Sequence, residues 1–236
     1  LSAALKMYDF YAKANQVKKK DELLAALKDV EAIEKEWDEQ GWEPSRKAAL
    51  LAERGRNYWR LDDYEKALEL LERAIALCEE KTEYTYIKAG ILKDMNKYQE
   101  AVTLYLSCEK DYDETAHFYS NVGECYYRLG KYREALPYLK KAVEMDGNNA
   151  LACSWIGRIL KSFMEKEDNL SYLEEAEPYL ELMVKARPES YFYIERGLFY
   201  NGAQRRREAI ENFEKAVEAN PDNPYAHSNL AKVYKQ

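Results

Sequence analysis

Residues 116–149 read AHFYSNVGECYYRLGKYREALPYLKKAVEMDGNN, and the fold can be worked out from this stretch. Its segment KYREA at 131–135 has counterparts in KYQEA at 97–101 and in DYEKA at 63–67, so similar residues return every 34 residues. A fixed period of this size is typical of proteins built from stacked repeats. We therefore interpret the sequence repeat by repeat.

Each repeat predicts two amphipathic helices joined by a short turn. In the unit from Ala116, Val122 and Tyr126 fall on one stripe of the first helix, at helical spacing. Gly123 and Ala135 are small where the two helices must approach each other closely. Neither helix can bury its apolar stripe alone, so the pairs are expected to pack against each other and against their neighbours.

These residues resemble the tetratricopeptide repeat family, whose unit is a helix-turn-helix of 34 residues. The unit from Ala116 matches the family pattern at Tyr119, Val122, Gly123, Tyr126, Ala135, Leu139 and Ala142. The resemblance implies an all-α fold, namely a right-handed α-solenoid of stacked antiparallel helix pairs.

The same register divides the chain into seven segments. We predict repeats at 48–81, 82–115, 116–149, 150–189 and 190–223, an N-terminal helical pair at 1–47 that is a degenerate repeat or a cap, and a C-terminal capping helix or truncated repeat at 224–236. The N-terminal pair is expected at Ser2 to Asn15 and Asp21 to Gln40. About seven residues are inserted near Asp168, where they lengthen either the inter-helix turn or the helices beside it.

Composition argues against several classes of partner. The chain has 36 Lys and Arg against 43 Asp and Glu, a net charge of −7, which disfavours nucleic acid and anionic membrane as ligands. No apolar run approaches the roughly 18 residues of a membrane-spanning helix. Four cysteines without metal-site spacing predict reduced thiols and a cytoplasmic location. Because the sequence starts at Leu1, we expect a fragment of a longer chain.

The sequence predicts no enzyme activity, no cofactor and no metal. Its two histidines, His117 and His227, lie in different repeats, and repeats contact only their neighbours. No phosphate-binding loop, dinucleotide fingerprint, zinc-protease motif or nucleophile elbow is present. The many carboxylates on amphipathic helices are expected to be solvent-exposed surface groups.

The resemblance implies that the first helices of successive repeats line a concave groove, and that particular positions on them contact ligands. The candidate groove residues are Arg56, Trp59, Arg60, Tyr86, Lys93, His117, Tyr127, Arg128, Arg158 and Lys161. Basic residues outnumber acidic ones at these positions in the four units from residue 48. Since arginine pairs with carboxylates and aromatic side chains anchor interfaces, we predict an acidic or aromatic-containing peptide as ligand.

One family ligand is disfavoured. Repeats that clamp the C-terminal tails of heat-shock chaperones carry a defined set of Lys, Asn and Arg residues. Only Asn121 matches that set, whereas Tyr86, Gly90, Leu151 and Trp155 stand where other clamp residues would be.

The main function prediction is therefore a non-catalytic scaffold or adaptor that binds a peptide or partner domain. A regulatory or targeting segment of a larger multidomain enzyme or signalling protein is the alternative. An RNA-binding repeat protein is a third, which the net charge disfavours.

Overall fold

The computed structural model describes residues 41–112 and 115–235, and every regular element in these ranges is a helix. In chain order the helices are α1 Pro44–Arg60, α2 Tyr64–Leu77, α3 Thr82–Asp94, α4 Tyr98–Ser107, α5 Glu109–Tyr112, α6 Ala116–Arg128, α7 Tyr132–Met145, α8 Ala150–Glu167, α9 Ser171–Ala186, α10 Ser190–Gly202, α11 Arg206–Ala219 and α12 Pro224–Lys235. The N-terminal helices predicted at Ser2 to Asn15 and Asp21 to Gln40 lie outside the described residues.

The chain divides into two compact units after Cys108. In the N-terminal unit α1 pairs with α2 and α3 with α4, and α1 also contacts α3. In the C-terminal unit α6 pairs with α7, α8 with α9 and α10 with α11. We call α1, α3, α6, α8, α10 and α12 the first helices. In the C-terminal unit the first helices lie side by side, since α8 contacts both α6 and α10, and α10 contacts α12.

The turn between the helices of a pair has one recurring backbone conformation. Asp62, Asn96, Gly130 and Gln204 all have positive φ, between 59° and 71°, and they stand at the same place in their repeats. This left-handed conformation is open to glycine and tolerated by Asn and Asp. Helix α2, which follows the turn at Asp62, begins with a side-chain cap in which Asp63 accepts a hydrogen bond from the Lys66 N–H.

A glycine on the first helix sets the distance within a pair. A Cβ added to Gly123 would lie 2.6 Å from both Cγ and Cδ2 of Leu139, the residue sixteen positions later on α7. The same close approach joins Gly55 to Leu71 and Gly197 to Phe213. The repeat period therefore reflects one packing contact that is made again in successive pairs.

The insertion near Asp168 lengthens helices and not the turn. Helix α8 has 18 residues where α6 has 13, and α9 has 16 where α7 has 14. Gly157 nevertheless faces Leu180 as Gly123 faces Leu139, although seven more residues separate the two. Five of the seven come at the end of α8, after Gly157, and two at the start of α9, before Leu180, so they extend the helix ends beside the turn and leave this contact in place.

Both units bury aromatic and aliphatic side chains between their helices. Phe192, Phe199 and Phe213 are almost fully buried in the C-terminal unit, and Leu50 and Leu71 in the N-terminal unit. The thiols of Cys108, Cys125 and Cys153 are buried too, while Cys78 is half-buried, and none of the four forms a disulfide within the described residues. Burial raises the pKa of the Cys153 thiol to about 12.

Candidate functional site

In the N-terminal unit, Arg56 on α1 is already paired with carboxylates. Its guanidinium donates hydrogen bonds to Glu53 on the same helix and to Glu83 on α3. Burial lowers the pKa of Arg56 and these two hydrogen bonds raise it, with a net rise above the ordinary value. This cation therefore bridges two consecutive first helices.

Trp59 lies beside that pair and also joins α1 to α3. Its ring covers Gly90, where an added Cβ would be 2.7 Å from Cη2. Its indole N–H donates to Asp94 Oδ2 at 2.7 Å. The side chains of Trp59 and Asp94 border an open pocket of about 390 Å³, together with those of Arg56 and Arg60.

The other three candidates of this unit differ in exposure. Arg60 is exposed and donates to the neutral Asn57 side chain at 3.2 Å. Tyr86 is half-buried with its ring edge against Tyr105, at a centroid distance of 5.0 Å. Lys93 is half-buried on α3. Of these residues, Arg60 is the cation most available to a ligand carboxylate.

In the C-terminal unit, aromatic rings and guanidinium groups are stacked over α6 and α8. Tyr127 lies 4.7 Å from the buried Trp155 ring and 5.4 Å from Tyr132, centroid to centroid. The guanidinium carbon of Arg128 lies 4.9 Å from the centroid of the Trp155 ring. Its Nη2 lies 3.7 Å from Glu124 Oε1. A cation over a tryptophan face is attracted by the ring quadrupole, so the cluster holds α6 and α8 together.

Arg158 on α8 makes the strongest polar contacts of the candidate residues. It donates through Nε and Nη2 to the two oxygens of Glu195 on α10, both at 2.6 Å, and through Nη2 to the Tyr191 hydroxyl at 2.9 Å. The hydrogen bonds that Arg158 donates to Glu195 raise the pKa of the guanidinium, although burial acts in the opposite direction. This bidentate pair fixes the spacing of α8 and α10.

Lys161 and His117 complete the predicted set. The Lys161 ammonium lies 2.8 Å from Glu165, one turn further along α8. His117 is exposed on α6, with Nδ1 3.1 Å from the Asn121 side-chain nitrogen. Asn121, the one residue that matches the chaperone-tail clamp, is itself buried. The ten candidates thus lie five in each unit, and most of their charges are neutralised by nearby carboxylates.

A cavity of about 200 Å³ lies beside the Arg158 and Glu195 pair, between α8, α9 and α10. Ser154 lines it with its hydroxyl buried and without a hydrogen-bond partner among the described residues. We call this space the Ser154 cavity. Ser154 is not among the candidate groove residues, and nothing in the sequence indicates that a cavity forms there.

Three exposed apolar side chains form a further feature. Leu151, Tyr191 and Tyr225 occupy the second position of α8, α10 and α12, with exposures of 48%, 41% and 74%. The sequence reasoning missed Tyr191 and Tyr225 because it compared groove positions only over the four units from Ala48. The register itself would have found them, since they follow Leu151 from unit to unit.

Within residues 41–112 and 115–235, no group of three His, Cys, Asp or Glu side chains could hold a metal ion. Over the same ranges no helix combines the length and the apolar character that crossing a bilayer requires.

The stacked helix pairs define the class of protein, a helical-repeat scaffold for protein–protein interaction, and scaffolds of this kind are generally not catalysts. The family profiles described as Tetratricopeptide repeat match residues 48–81 and 88–148, and the profile described as TPR repeat matches 205–236. Together they span more than half of the chain, which belongs to the tetratricopeptide repeat family.

Individual relatives share this repeat. TPR repeat-containing protein YpiA of Bacillus subtilis is 29% identical over 92 residues, which are 39% of this chain and 22% of YpiA. Regulatory protein RapG of the same organism is 29% identical over 151 residues, covering 56% of this chain and 39% of RapG. The chain thus spans well under half of either relative.

A solved structure shows the same fold. YrrB, described as a TPR protein with an unusual peptide-binding site, superposes with a TM-score of 0.61 at 22% identity, over 77% of this chain and 90% of YrrB. The all-α fold of stacked helix pairs predicted from the sequence is confirmed.

Proposed function

We propose that this protein binds a peptide, or an extended segment of a partner protein, along the first helices of its C-terminal unit, without catalysis. The observation that carries the proposal is the apolar stripe of Leu151, Tyr191 and Tyr225. Apolar residues scattered singly on a surface need no explanation. These three recur at one position on helices that pack side by side, so a single extended chain could cross all of them.

Aromatic or apolar ligand residues suit this face better than acidic ones. Arg158 is bonded to Glu195, and Lys161 lies against Glu165. An acidic peptide would have to compete with these internal carboxylates for the same cations. Aromatic anchors, which dominate many interfaces, would add to the stripe without breaking any ion pair. Arg60 in the N-terminal unit is the place that best suits a ligand carboxylate.

The proposal can be tested by selecting binders from a displayed library of random peptides. We expect the enriched peptides to contain aromatic residues. Replacing Leu151, Tyr191 and Tyr225 together by Ser should weaken their binding at least tenfold, because three apolar contacts are lost.

A matched control replaces three exposed apolar residues that are not on first helices. Leu77 ends α2, Met145 ends α7, and Leu170 lies between α8 and α9, with exposures of 39%, 40% and 64%. Changing these three to Ser should leave affinity unchanged. Equal losses in both triple variants, or selection of no peptide at all, would count against binding on the first helices.

A regulatory segment of a larger protein is the second candidate. It is favoured by the similarity to RapG, a regulatory protein of which this chain spans 39%. In that case the same face would bind a domain of the longer chain. Cysteines that form no disulfide among the described residues fit the cytoplasmic location predicted from the sequence. Expressing the full reading frame and testing whether its other domains block peptide binding would separate the two candidates.

A further inference from the structure

The open pocket between α1 and α3 is lined by Arg56, Trp59, Arg60, Asp62 and Asp94, and we call it the Trp59 pocket. Arg60, Asp62 and Asp94 are exposed, so a ligand in the pocket can reach their charged groups. Its volume of about 390 Å³ lies near the lower end of the roughly 300 to 1,000 Å³ that ligand pockets occupy. The pocket therefore suits a single long side chain.

The two aspartates of the Trp59 pocket have neutral hydrogen-bond partners. Asp94 accepts the Trp59 indole N–H at 2.7 Å, and Asp62 accepts the Tyr64 hydroxyl at 3.2 Å. Among the described residues, no Lys or Arg forms an ion pair with either carboxylate. Desolvation raises the pKa of the Tyr64 hydroxyl, and the hydrogen bond to Asp62 and the charges of both aspartates raise it further. Both carboxylates thus lie near one hydroxyl, and each has an oxygen left for a cation.

The charges around the pocket have a negative sum. Arg56 donates to both Glu53 and Glu83, so this group of three carries one net negative charge. Arg60 adds one positive charge and the two aspartates add two negative ones, which leaves a net charge of −2. The pocket therefore attracts a cation more than an anion.

The helix ends at the pocket also favour a cation. Helix α1 ends at Arg60 and α3 at Asp94, and the C-terminal end of a helix carries a partial negative charge. Asp94 is unfavourable for α3 by the same rule, whereas Arg60 and Arg128 hold its position in the neighbouring repeats. Residues that break a local rule are typical of functional sites. A ligand that supplies the missing cation explains this carboxylate.

Trp59 distinguishes between the two basic side chains. A tryptophan face attracts cations more strongly than other rings do, and the planar guanidinium group stacks on it. Arginine also pairs with a carboxylate through two parallel hydrogen bonds, whereas lysine acts as a point charge. Because the pocket offers a ring and two carboxylates together, arginine suits it better than lysine.

We propose that the Trp59 pocket binds an arginine side chain of a partner protein, with the guanidinium on the Trp59 ring and hydrogen-bonded to Asp62 and Asp94. The apolar stripe belongs to the other compact unit, so this proposal does not rest on the peptide binding proposed there. It adds a second contact, of opposite chemistry, to the same chain.

The test uses two small ligands of the same shape. Nα-acetyl-arginine amide carries the guanidinium, and Nα-acetyl-citrulline amide carries an uncharged urea group in its place. Protein with 15N-labelled tryptophan gives four indole N–H signals in NMR spectra, and Trp59→Phe identifies the signal of Trp59. At low salt we expect the arginine ligand to shift the Trp59 signal saturably and to leave that of the buried Trp155 unchanged. Its dissociation constant should be at least about fivefold below that of the citrulline ligand.

Three exposed substitutions that should leave the fold intact test the contacts. Asp94→Asn keeps an acceptor for the Trp59 N–H but loses the charge, and should weaken the arginine ligand at least about threefold. Arg60→Gln removes a repelling cation and should strengthen it about two- to threefold. Glu69→Gln is the matched control, because it changes the net charge like Asp94→Asn but lies on α2 outside the pocket lining. It should leave the affinity unchanged.

Several results would overturn the proposal. These are no saturable shift of the Trp59 signal, equal affinity for the two ligands, or equal weakening by Asp94→Asn and Glu69→Gln. Weaker binding to Arg60→Gln would show that the ligand pairs with Arg60, and would overturn it as well. If selected peptides bind the apolar stripe while the arginine ligand fails these tests, the proposed function stands and the arginine site does not.

Discussion

The close approach at Gly123 makes a sharp test of the packing described for each helix pair. In the substitution Gly123→Ala, the new methyl group would lie 2.6 Å from Cγ and Cδ2 of Leu139 and 3.2 Å from its backbone nitrogen. Rotating the Leu139 side chain cannot relieve the contact with the backbone. Helix α7 itself would have to move away from α6.

Two opposing effects set the change in unfolding free energy that Gly123→Ala causes. Alanine is favoured over glycine inside a helix by about 1 kcal/mol. Overpacking a well-packed interface costs about 1 to 3 kcal/mol, and contact with a branch carbon and the backbone puts this site near the upper end. The expected net loss of unfolding free energy is about 2 kcal/mol. For a chain of this size that lowers Tm by about 4 to 8 °C.

The measurement is thermal and urea unfolding followed by circular dichroism. Gly157→Ala is the matched control, because its new methyl would be 2.9 Å from the Leu180 Cδ2 atom and 4.0 Å from Cγ. The Cδ2 methyl group of Leu180 can turn toward the Ser154 cavity. The unfolding free energy of Gly157→Ala should therefore stay within about 1 kcal/mol of the wild-type value. If Gly123→Ala proved as stable as the wild type, the packing argument would be refuted.

Four further predictions concern other residues. Ala135→Leu should overpack the same helix pair and lower the unfolding free energy by about 1 to 3 kcal/mol, and an unchanged Tm would contradict the repeat register. Burial raises the pKa of the Cys153 thiol to about 12 from an ordinary 9, so the folded protein keeps a proton that the unfolded chain loses. Stability measured by urea unfolding should therefore fall as pH rises from about 9 toward 12, and Cys153→Ala should make that fall shallower. In the native protein at pH 8, a thiol reagent should modify Cys78 much faster than the three buried thiols. Glu195→Gln should lower the unfolding free energy by about 1 kcal/mol, and a double-mutant cycle with Arg158 that showed no coupling would exclude a stabilising pair.

The fold could be predicted because four of the helix pairs meet the same packing requirement. Gly123 and Leu139 are in contact, as are Gly55 and Leu71, so the spacing of small and large residues in the sequence reflects the spacing of two helices. A period that satisfies such a contact several times over is difficult to reach by any other fold.

The electrostatics of the candidate site could be predicted only in part. The charges at the groove positions predict a basic face. In the structure Arg158 is paired with Glu195, which lies 37 residues later and is not at one of those positions. Which way a long side chain turns depends on its neighbours on the next repeat. Sequence position alone does not contain that information.

The Ser154 cavity was not foreseeable, because a cavity is the space that side chains leave. Ser154 is small and lines the cavity, yet small residues also mark the closest helix contacts, as Gly123 and Gly157 do. Only the positions of α9 and α10 distinguish a tight contact from an empty space.

The insertion in α8 and α9 has a consequence for how such a chain can change over generations. Its five residues in α8 come after Gly157, its two in α9 come before Leu180, and Gly157 still faces Leu180, so the added residues left the core contact of the pair untouched. The ends of the two helices beside their turn can therefore change length while the packed part of the pair stays the same.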